Sequence, residues 1–102
     1  MHERKALMAQ LADAFIALPG GYGTLEELAE VTTWSQLNYH SKPVGLLNTF
    51  GFYEHLIRWI DHASSEDFIR DEHRQLIVHD SDISQLLTKM KAVTYVDIKK
   101  VI

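Results

Sequence analysis

The chain has 102 residues, 46% hydrophobic and 24% charged, the composition of one small globular domain with a core of its own. Its formal net charge is -4 and it has no basic run, so the sequence argues against nucleic-acid or anionic-membrane partners. Cysteine is absent, which excludes disulfides, thiolate metal ligands and a cysteine nucleophile, and we expect a cytoplasmic protein. No apolar run approaches the roughly 18 residues that a membrane span needs.

Short apolar runs alternate with amphipathic stretches along the chain. The predicted elements are a helix at residues 2–12, a strand at 14–18, a helix from Thr24 to Tyr39 or His40, a strand at 44–47, a loop at 48–52, a helix at 53–63, a polar turn or short helix at 70–74, a strand at 76–78 and a last helix after Ser81-Asp82. The tail from Tyr95 to Ile102 is ambiguous. One face of the second helix is predicted to carry Leu25, Leu28, Val31, Trp34 and Leu37.

This order predicts an α/β fold with a Rossmann-like, doubly wound parallel sheet. The predicted strands are few for such a sheet, and the chain begins on a helix where a strand is expected. We therefore expect residues 1–102 to form a single, partial domain that lacks an N-terminal β-α-β part.

A glycine-rich turn joins the first strand to the second helix, with the sequence Pro19-Gly20-Gly21-Tyr22-Gly23-Thr24. A turn of this kind presents backbone N–H groups and the positive end of a helix dipole to an anion. It is not a P-loop, because no lysine follows Gly23, and it is not the dinucleotide fingerprint, because Glu26 occupies the third glycine position. We interpret it as a phosphate cradle; the alternative is a plain tight turn.

Glu27 has two interpretations. Thr24-Leu25-Glu26-Glu27 has the form of a capping box, in which Glu27 would bond back to the backbone of Thr24. The alternative is a catalytic carboxylate beside the cradle. Arg4 and Lys5 are by themselves typical of a solvated surface pair.

The remaining polar and aromatic residues carry little functional signal. The six histidines show no H-E-x-x-H spacing, so no metal site is predicted. Trp34 and Trp59 are predicted to be core residues or subunit contacts rather than a base-stacking surface.

Two motifs together resemble those of the LOG ("Lonely Guy") family of cytokinin riboside 5′-monophosphate phosphoribohydrolases, many of which carry the older label lysine decarboxylase-like. The motif M-x-x-R-K stands at residues 1–5, and P-G-G-x-G-T-x-x-E stands at residues 19–27. The similarity continues through Thr33-Trp34, residues 42–48 and residues 51–53, to about residue 90.

The resemblance implies hydrolysis of the N-glycosidic bond of an N6-modified AMP, which yields the free base and ribose 5-phosphate. It implies that Arg4 and Glu27 are the catalytic pair, with the role of Arg4 open between phosphate binding and support of the leaving base. The residues that it implies bind substrate are Lys5, Gly20, Gly21, Tyr22, Gly23, Thr24, Glu26 and Thr33. It also implies a homodimer.

Two alternatives stay open beside this enzyme. One is a truncated nucleotide-binding or dimerisation module without turnover, and the other is a general hydrolase of AMP or other nucleoside monophosphates. The decarboxylase label finds no support, because no lysine environment suited to pyridoxal phosphate is recognisable; no cofactor is predicted.

Overall fold

Apolar strands and amphipathic helices alternate along the chain as predicted. The computed structural model describes Leu7, residues 12–37 and residues 41–101, the stretch 94–101 by its backbone alone. The elements are the strands β1 (Phe15–Ala17), β2 (Val44–Leu47) and β3 (Ile77–Asp80), the helices α1 (Tyr22–Gln36), α2 (Glu54–Ser65), α3 (Asp71–Arg74) and α4 (Ile83–Val101), and a 3-10 turn at Thr49–Gly51.

The strands form one parallel sheet in the order β1-β2-β3. Val44 in the central strand pairs with Phe15 on one side and with Ile77 on the other. Parallel neighbours need a crossover connection, and each connection here contains a helix. The predicted parallel α/β sheet is therefore confirmed.

Helices cover both faces of the central strand. Leu46 is fully buried and belongs to one apolar cluster with Leu28 of α1 and Ile57 of α2. Gly45 points to the opposite face, because side chains alternate along a strand. A Cβ atom there would lie 2.5 Å from the sulfur of Met90 in α4. Helices on both faces make the sheet doubly wound, as the alternation predicts.

Two helices differ from the prediction in extent. Helix α1 ends at Gln36, before the predicted Tyr39, and its last turn is closed by Leu37 N–H donating to the Thr33 carbonyl oxygen at 3.0 Å. Helix α4 continues through the ambiguous tail as far as Val101, since no glycine or proline interrupts it.

The other elements match the prediction with small shifts. Strand β1 is shorter than predicted, β3 begins at Ile77 and continues to Asp80, and the polar segment before β3 forms the short helix α3. Of the helix predicted at residues 2–12, Leu7 is helical and Ala12 is not; the other positions lie outside the described residues.

Burial on α1 corrects the predicted apolar face. Leu28 and Trp34 are buried, whereas Leu25 and Leu37 are 47% and 55% exposed. Each step of three residues falls about 60° short of a full helical turn, so the ends of the row rotate away from the sheet. Trp34 is therefore a core residue. No helix among the described residues is both long and apolar enough to cross a membrane.

Candidate functional site at the carboxyl edge of the sheet

The three strands end at one edge of the sheet, and a distinct segment follows each strand. The glycine turn follows β1, Asn48 follows β2, and Asp80 ends β3. The Asn48 N–H donates to the Asp80 carbonyl oxygen at 2.9 Å, which joins the ends of β2 and β3. Ligands of parallel α/β sheets bind outside the carboxyl ends of the strands. This edge is therefore the candidate site.

Helix α1 begins directly at the glycine turn. Gly21 is its N-cap residue, its carbonyl oxygen accepts the Leu25 N–H at 3.1 Å, and no side chain of a described residue caps the helix. The N–H groups of Tyr22, Gly23 and Thr24 precede this first intrahelical bond. Within the described part of the chain they are available to an anion, which a helix N-terminus favours.

The predicted capping box is wrong. A capping box needs Thr24 at the N-cap position, but the helix begins at Tyr22 and Thr24 lies inside its first turn. The physical reason is that the Gly21 carbonyl closes the first turn earlier than the Thr24 hydroxyl would. Glu27 consequently lies in the second turn, where it is exposed and has no hydrogen bond or ion pair with another described residue.

The three glycines of the turn have different environments. A Cβ atom on Gly20 would overlap the Thr24 hydroxyl and lie 3.0 Å from the Thr24 Cβ, so this close approach requires glycine. A Cβ atom on Gly21 or Gly23 would meet no atom of a described residue within 4 Å. Gly23 is helical, and glycine in a helix costs about 0.5–1 kcal/mol relative to alanine. No contact in the described structure requires a glycine at this position in spite of that cost.

The other predicted site residues lie in different places. Tyr22, at 92% exposure, extends from the turn into solvent, and Glu26 is exposed beside Glu27. Thr33 lies roughly 13 Å farther along the helix axis than Thr24, at 1.5 Å per residue. Its hydroxyl donates to the Ala29 carbonyl oxygen at 2.7 Å.

The structure thus brings the residues from Gly20 to Thr24 together at one turn and places Thr33 well away from it. Arg4 and Lys5 lie outside the described residues.

Tyr53 is a site residue that the sequence prediction missed. Its hydroxyl donates to the Leu18 carbonyl oxygen at 2.6 Å, just before the glycine turn. Its N–H donates to Asn48 Oδ1 at 2.7 Å. Asn48 Nδ2 in turn donates to Glu54 Oε2 at 3.2 Å. Since Asn48 is also bonded to Asp80, one chain of hydrogen bonds joins the ends of all three strands.

Burial defines the state of the Tyr53 hydroxyl. The side chain is 7% exposed and belongs to the same apolar cluster as Leu46. Desolvation raises the pKa of the Tyr53 phenol above its usual value, so the group stays protonated and able to donate at neutral pH. The motif Gly51-Phe52-Tyr53 was the available signal, but no spacing rule predicts a bond across 35 residues.

Asp80 is a carboxylate at the same edge, and its oxygens are already engaged. Oδ1 accepts the Asp82 N–H at 2.9 Å, and Oδ2 lies 3.0 Å from Lys89 Nζ. These two contacts lower the pKa of Asp80 below its usual value. Asp82 Oδ2 caps α4 by accepting the Gln85 N–H at 2.9 Å, which confirms the predicted start of that helix.

An apolar groove of about 940 Å³ lies beside the sheet, between α1 and α2. Trp59 and Phe68 on its wall are 63% and 79% exposed. At Ser35, which also lines the groove, a buried Oγ has no hydrogen-bond partner among the described residues. No group of three or more histidine, aspartate and glutamate side chains that would hold a metal ion occurs in the described ranges.

A doubly wound parallel sheet with a glycine-rich strand-to-helix turn at its carboxyl edge defines an α/β protein of the Rossmann-like class. Comparison with known proteins narrows this class. The chain belongs to the LOG family, since the family model described as "Possible lysine decarboxylase" matches residues 1–90.

Named relatives agree with this assignment. The chain is 58% identical over 91 residues to rice (Oryza sativa subsp. japonica) "Cytokinin riboside 5′-monophosphate phosphoribohydrolase LOG", a match that covers 89% of this chain and 38% of the rice protein. It is 60% identical over 87 residues to Arabidopsis thaliana "Cytokinin riboside 5′-monophosphate phosphoribohydrolase LOG2". That match covers 85% of this chain and 41% of the Arabidopsis protein. The chain therefore spans about two fifths of the length of the curated relatives that it matches.

Proposed function

We propose that this chain supplies the phosphate-binding turn and the catalytic carboxylate of a hydrolase that cleaves the N-glycosidic bond of cytokinin riboside 5′-monophosphates. One observation carries the proposal: a helix N-terminus with N–H groups that bond to no described residue lies one turn before an exposed Glu27 whose carboxylate also has no described partner. The names of the relatives support the choice of substrate.

The 5′-phosphate binds at the start of α1 in this proposal. The N–H groups of Tyr22, Gly23 and Thr24 point out of the helix start, and Gly23 lets the phosphate approach the backbone closely. The open space around a Cβ position at Gly23 supports this interpretation, because no contact with a described residue requires a glycine there. Lys5 supplies a cation to the same phosphate, as the family resemblance implies.

Glu27 acts on the ribose. In the reaction the bond from C1′ to the base nitrogen breaks, water adds its oxygen to C1′, and the base takes up a proton. Positive charge develops on the ribose as the bond breaks, and a carboxylate near C1′ stabilises that charge and orients the water. Arg4 binds phosphate or supports the departing base. Thr33, farther along α1, lies too far from the helix start to contact the same phosphate and is assigned to another part of the nucleotide.

The test is release of free base from N6-isopentenyladenosine monophosphate and from AMP, followed by chromatography, with the rice relative as positive control. The unchanged chain should release base from the isopentenyl nucleotide, and Glu27→Gln should lose that release. The matched control is Glu72→Gln on α3, an exposed acid whose ion pair with Arg70 at 3.7 Å stabilises the fold little. Turnover that survives in Glu27→Gln contradicts the catalytic assignment. Equal release from both nucleotides indicates a general nucleoside monophosphate hydrolase.

A nucleotide-binding module without turnover is the second candidate. The observation behind it is that the chain spans about two fifths of the length of the relatives whose names give the activity. Binding of AMP without release of base, in the assay that detects turnover by the rice relative, supports this candidate over the enzyme.

We also propose that the chain pairs with a second copy through the groove between α1 and α2. Trp59, which is 63% exposed on the wall of this groove, is an apolar side chain that a covering surface would bury. Trp59→Lys should lower the mass measured by light scattering to that of a monomer. Leu87→Lys, on α4 at the other face of the sheet and 42% exposed, is the control that should leave the mass unchanged.

A further inference from the structure

We propose that Tyr53 is a positioning residue that holds the glycine turn in its phosphate-binding geometry through its hydroxyl group. The inference rests on the proposed function, since it concerns the same turn. In this inference a residue outside the two motifs determines the orientation of the N–H groups of the turn.

The hydroxyl is the attachment point of the turn. Among the described residues, Leu18, Pro19 and Gly20 have one hydrogen bond, from the Tyr53 hydroxyl to the Leu18 carbonyl oxygen at 2.6 Å. Proline has no N–H to donate, and strand β1 ends at Ala17, so the sheet ladder does not hold this segment. Within the described chain, loss of the hydroxyl would leave Leu18, Pro19 and Gly20 fixed by their covalent ends and side-chain packing alone.

Tyr53 is itself held rigidly. Its N–H donates to Asn48 Oδ1 at 2.7 Å, and the Asn48 N–H donates to the Asp80 carbonyl oxygen at 2.9 Å. Its ring packs edge-on against Phe52 with centroids 5.0 Å apart. The donor that reaches β1 is therefore anchored to the ends of β2 and β3, and it transmits their position to the glycine turn.

The core alone does not require a tyrosine here. The ring belongs to one apolar cluster with Ala17, Leu28 and Ile57, in which a phenylalanine ring would fill the same place. A buried hydroxyl is tolerated only with a partner, and this one has its partner in the backbone just ahead of the turn. The hydroxyl thus adds orientation of the turn to a packing role that phenylalanine would already fill.

Tyr53→Phe tests the inference, because it removes one oxygen and keeps the ring. Binding of ribose 5-phosphate and of AMP is measured by calorimetry, together with the KM and kcat for base release. We expect both dissociation constants and KM to rise about three- to tenfold, the range that one hydrogen bond supplies, with kcat changed much less. Thr88→Val on α4 is the matched control: it also removes a hydroxyl, one bonded to a backbone carbonyl at 3.1 Å, and should leave affinity unchanged.

A second measurement separates positioning from general destabilisation. Amide hydrogen exchange in Tyr53→Phe should accelerate at Leu25, whose N–H donates to the Gly21 carbonyl oxygen of the turn at 3.1 Å, while exchange in α4 keeps its rate. Unchanged affinity and unchanged exchange at the turn overturn the inference and leave the proposed function standing. If the unchanged chain binds neither ribose 5-phosphate nor AMP, the proposed function fails and the inference fails with it.

Discussion

Replacing Gly23 by alanine should stabilise the fold and weaken phosphate binding. Gly23 lies in the first turn of α1, and a Cβ atom there meets no atom of the residues that the structure describes within 4 Å. Alanine removes the cost of a helical glycine, so the free energy of unfolding should rise by about 0.5–1 kcal/mol. For a domain of this size the melting temperature should rise by roughly 2–8 °C. A phosphate held on the neighbouring N–H groups meets the new methyl, and its affinity should fall about tenfold or more.

The matched variant Gly20→Ala should have the opposite effect on stability. Its Cβ atom would overlap the Thr24 hydroxyl, and rotation of the Thr24 side chain leaves the Thr24 Cβ only 3.0 Å away. Overpacking of this kind costs about 1–3 kcal/mol. The two glycines stand three positions apart in one motif, yet packing requires only the first.

Urea unfolding followed by circular dichroism measures both stabilities, and calorimetry with ribose 5-phosphate measures both affinities. If Gly23→Ala lowers stability, the described helix start is wrong, since alanine should be favourable there. If it raises stability and keeps full affinity for ribose 5-phosphate, the phosphate does not bind at this turn. If Gly20→Ala is as stable as the unchanged chain, the packing argument for the first glycine is refuted.

Other features of the fold give separate predictions. Gly45→Ala should lower the free energy of unfolding by about 1–2 kcal/mol in urea melts, since its Cβ would lie 2.5 Å from the Met90 sulfur. Phe50 has a left-handed φ of 53° and is fully exposed, so Phe50→Gly should raise stability by up to about 1 kcal/mol in the same assay. The folded pKa of Asp80 lies below its unfolded value, so its contribution is present above about pH 4 and disappears as pH falls through the folded pKa. Urea midpoints should therefore show Asp80→Asn less stable than the unchanged chain at pH 7, with the difference shrinking as the pH falls below the unfolded pKa of about 4.

The sheet and its order follow from local signals in the sequence. The apolar run Val44–Leu47 lies between turn residues, and its predicted bounds are those observed, because a strand buried on both faces is apolar throughout. The residues around Gly20 also mark a strand-to-helix junction through glycine and proline alone. These signals depend only on residues that are neighbours in the sequence, so they can be recognised from one sequence alone.

Two features of the site depend on contacts that sequence spacing does not encode. The start of α1 was predicted at Thr24 because Thr-x-x-Glu matches a capping box, yet the Gly21 carbonyl closes a turn earlier. The bond from Tyr53 to Leu18 spans 35 residues and exists only because β1 and β2 are neighbours in the sheet. Tyr53 could be recognised in the sequence within Gly51-Phe52-Tyr53, but its hydrogen-bond partner, the Leu18 carbonyl oxygen, could not.

The corrected helix start changes what Glu27 is able to do. In a capping box the carboxylate would be bonded to the helix backbone, and catalysis would have to break that bond, so Glu27→Ala would cost about 1 kcal/mol of stability. In the second turn the carboxylate bonds to no other described residue, and the same substitution should change stability by less than about 0.5 kcal/mol. The Thr24 N–H, which Glu27 would have occupied in a capping box, is then available to a phosphate within the described chain. Moving the helix start to Tyr22 therefore makes the anion-binding turn and an unengaged carboxylate compatible within one short segment.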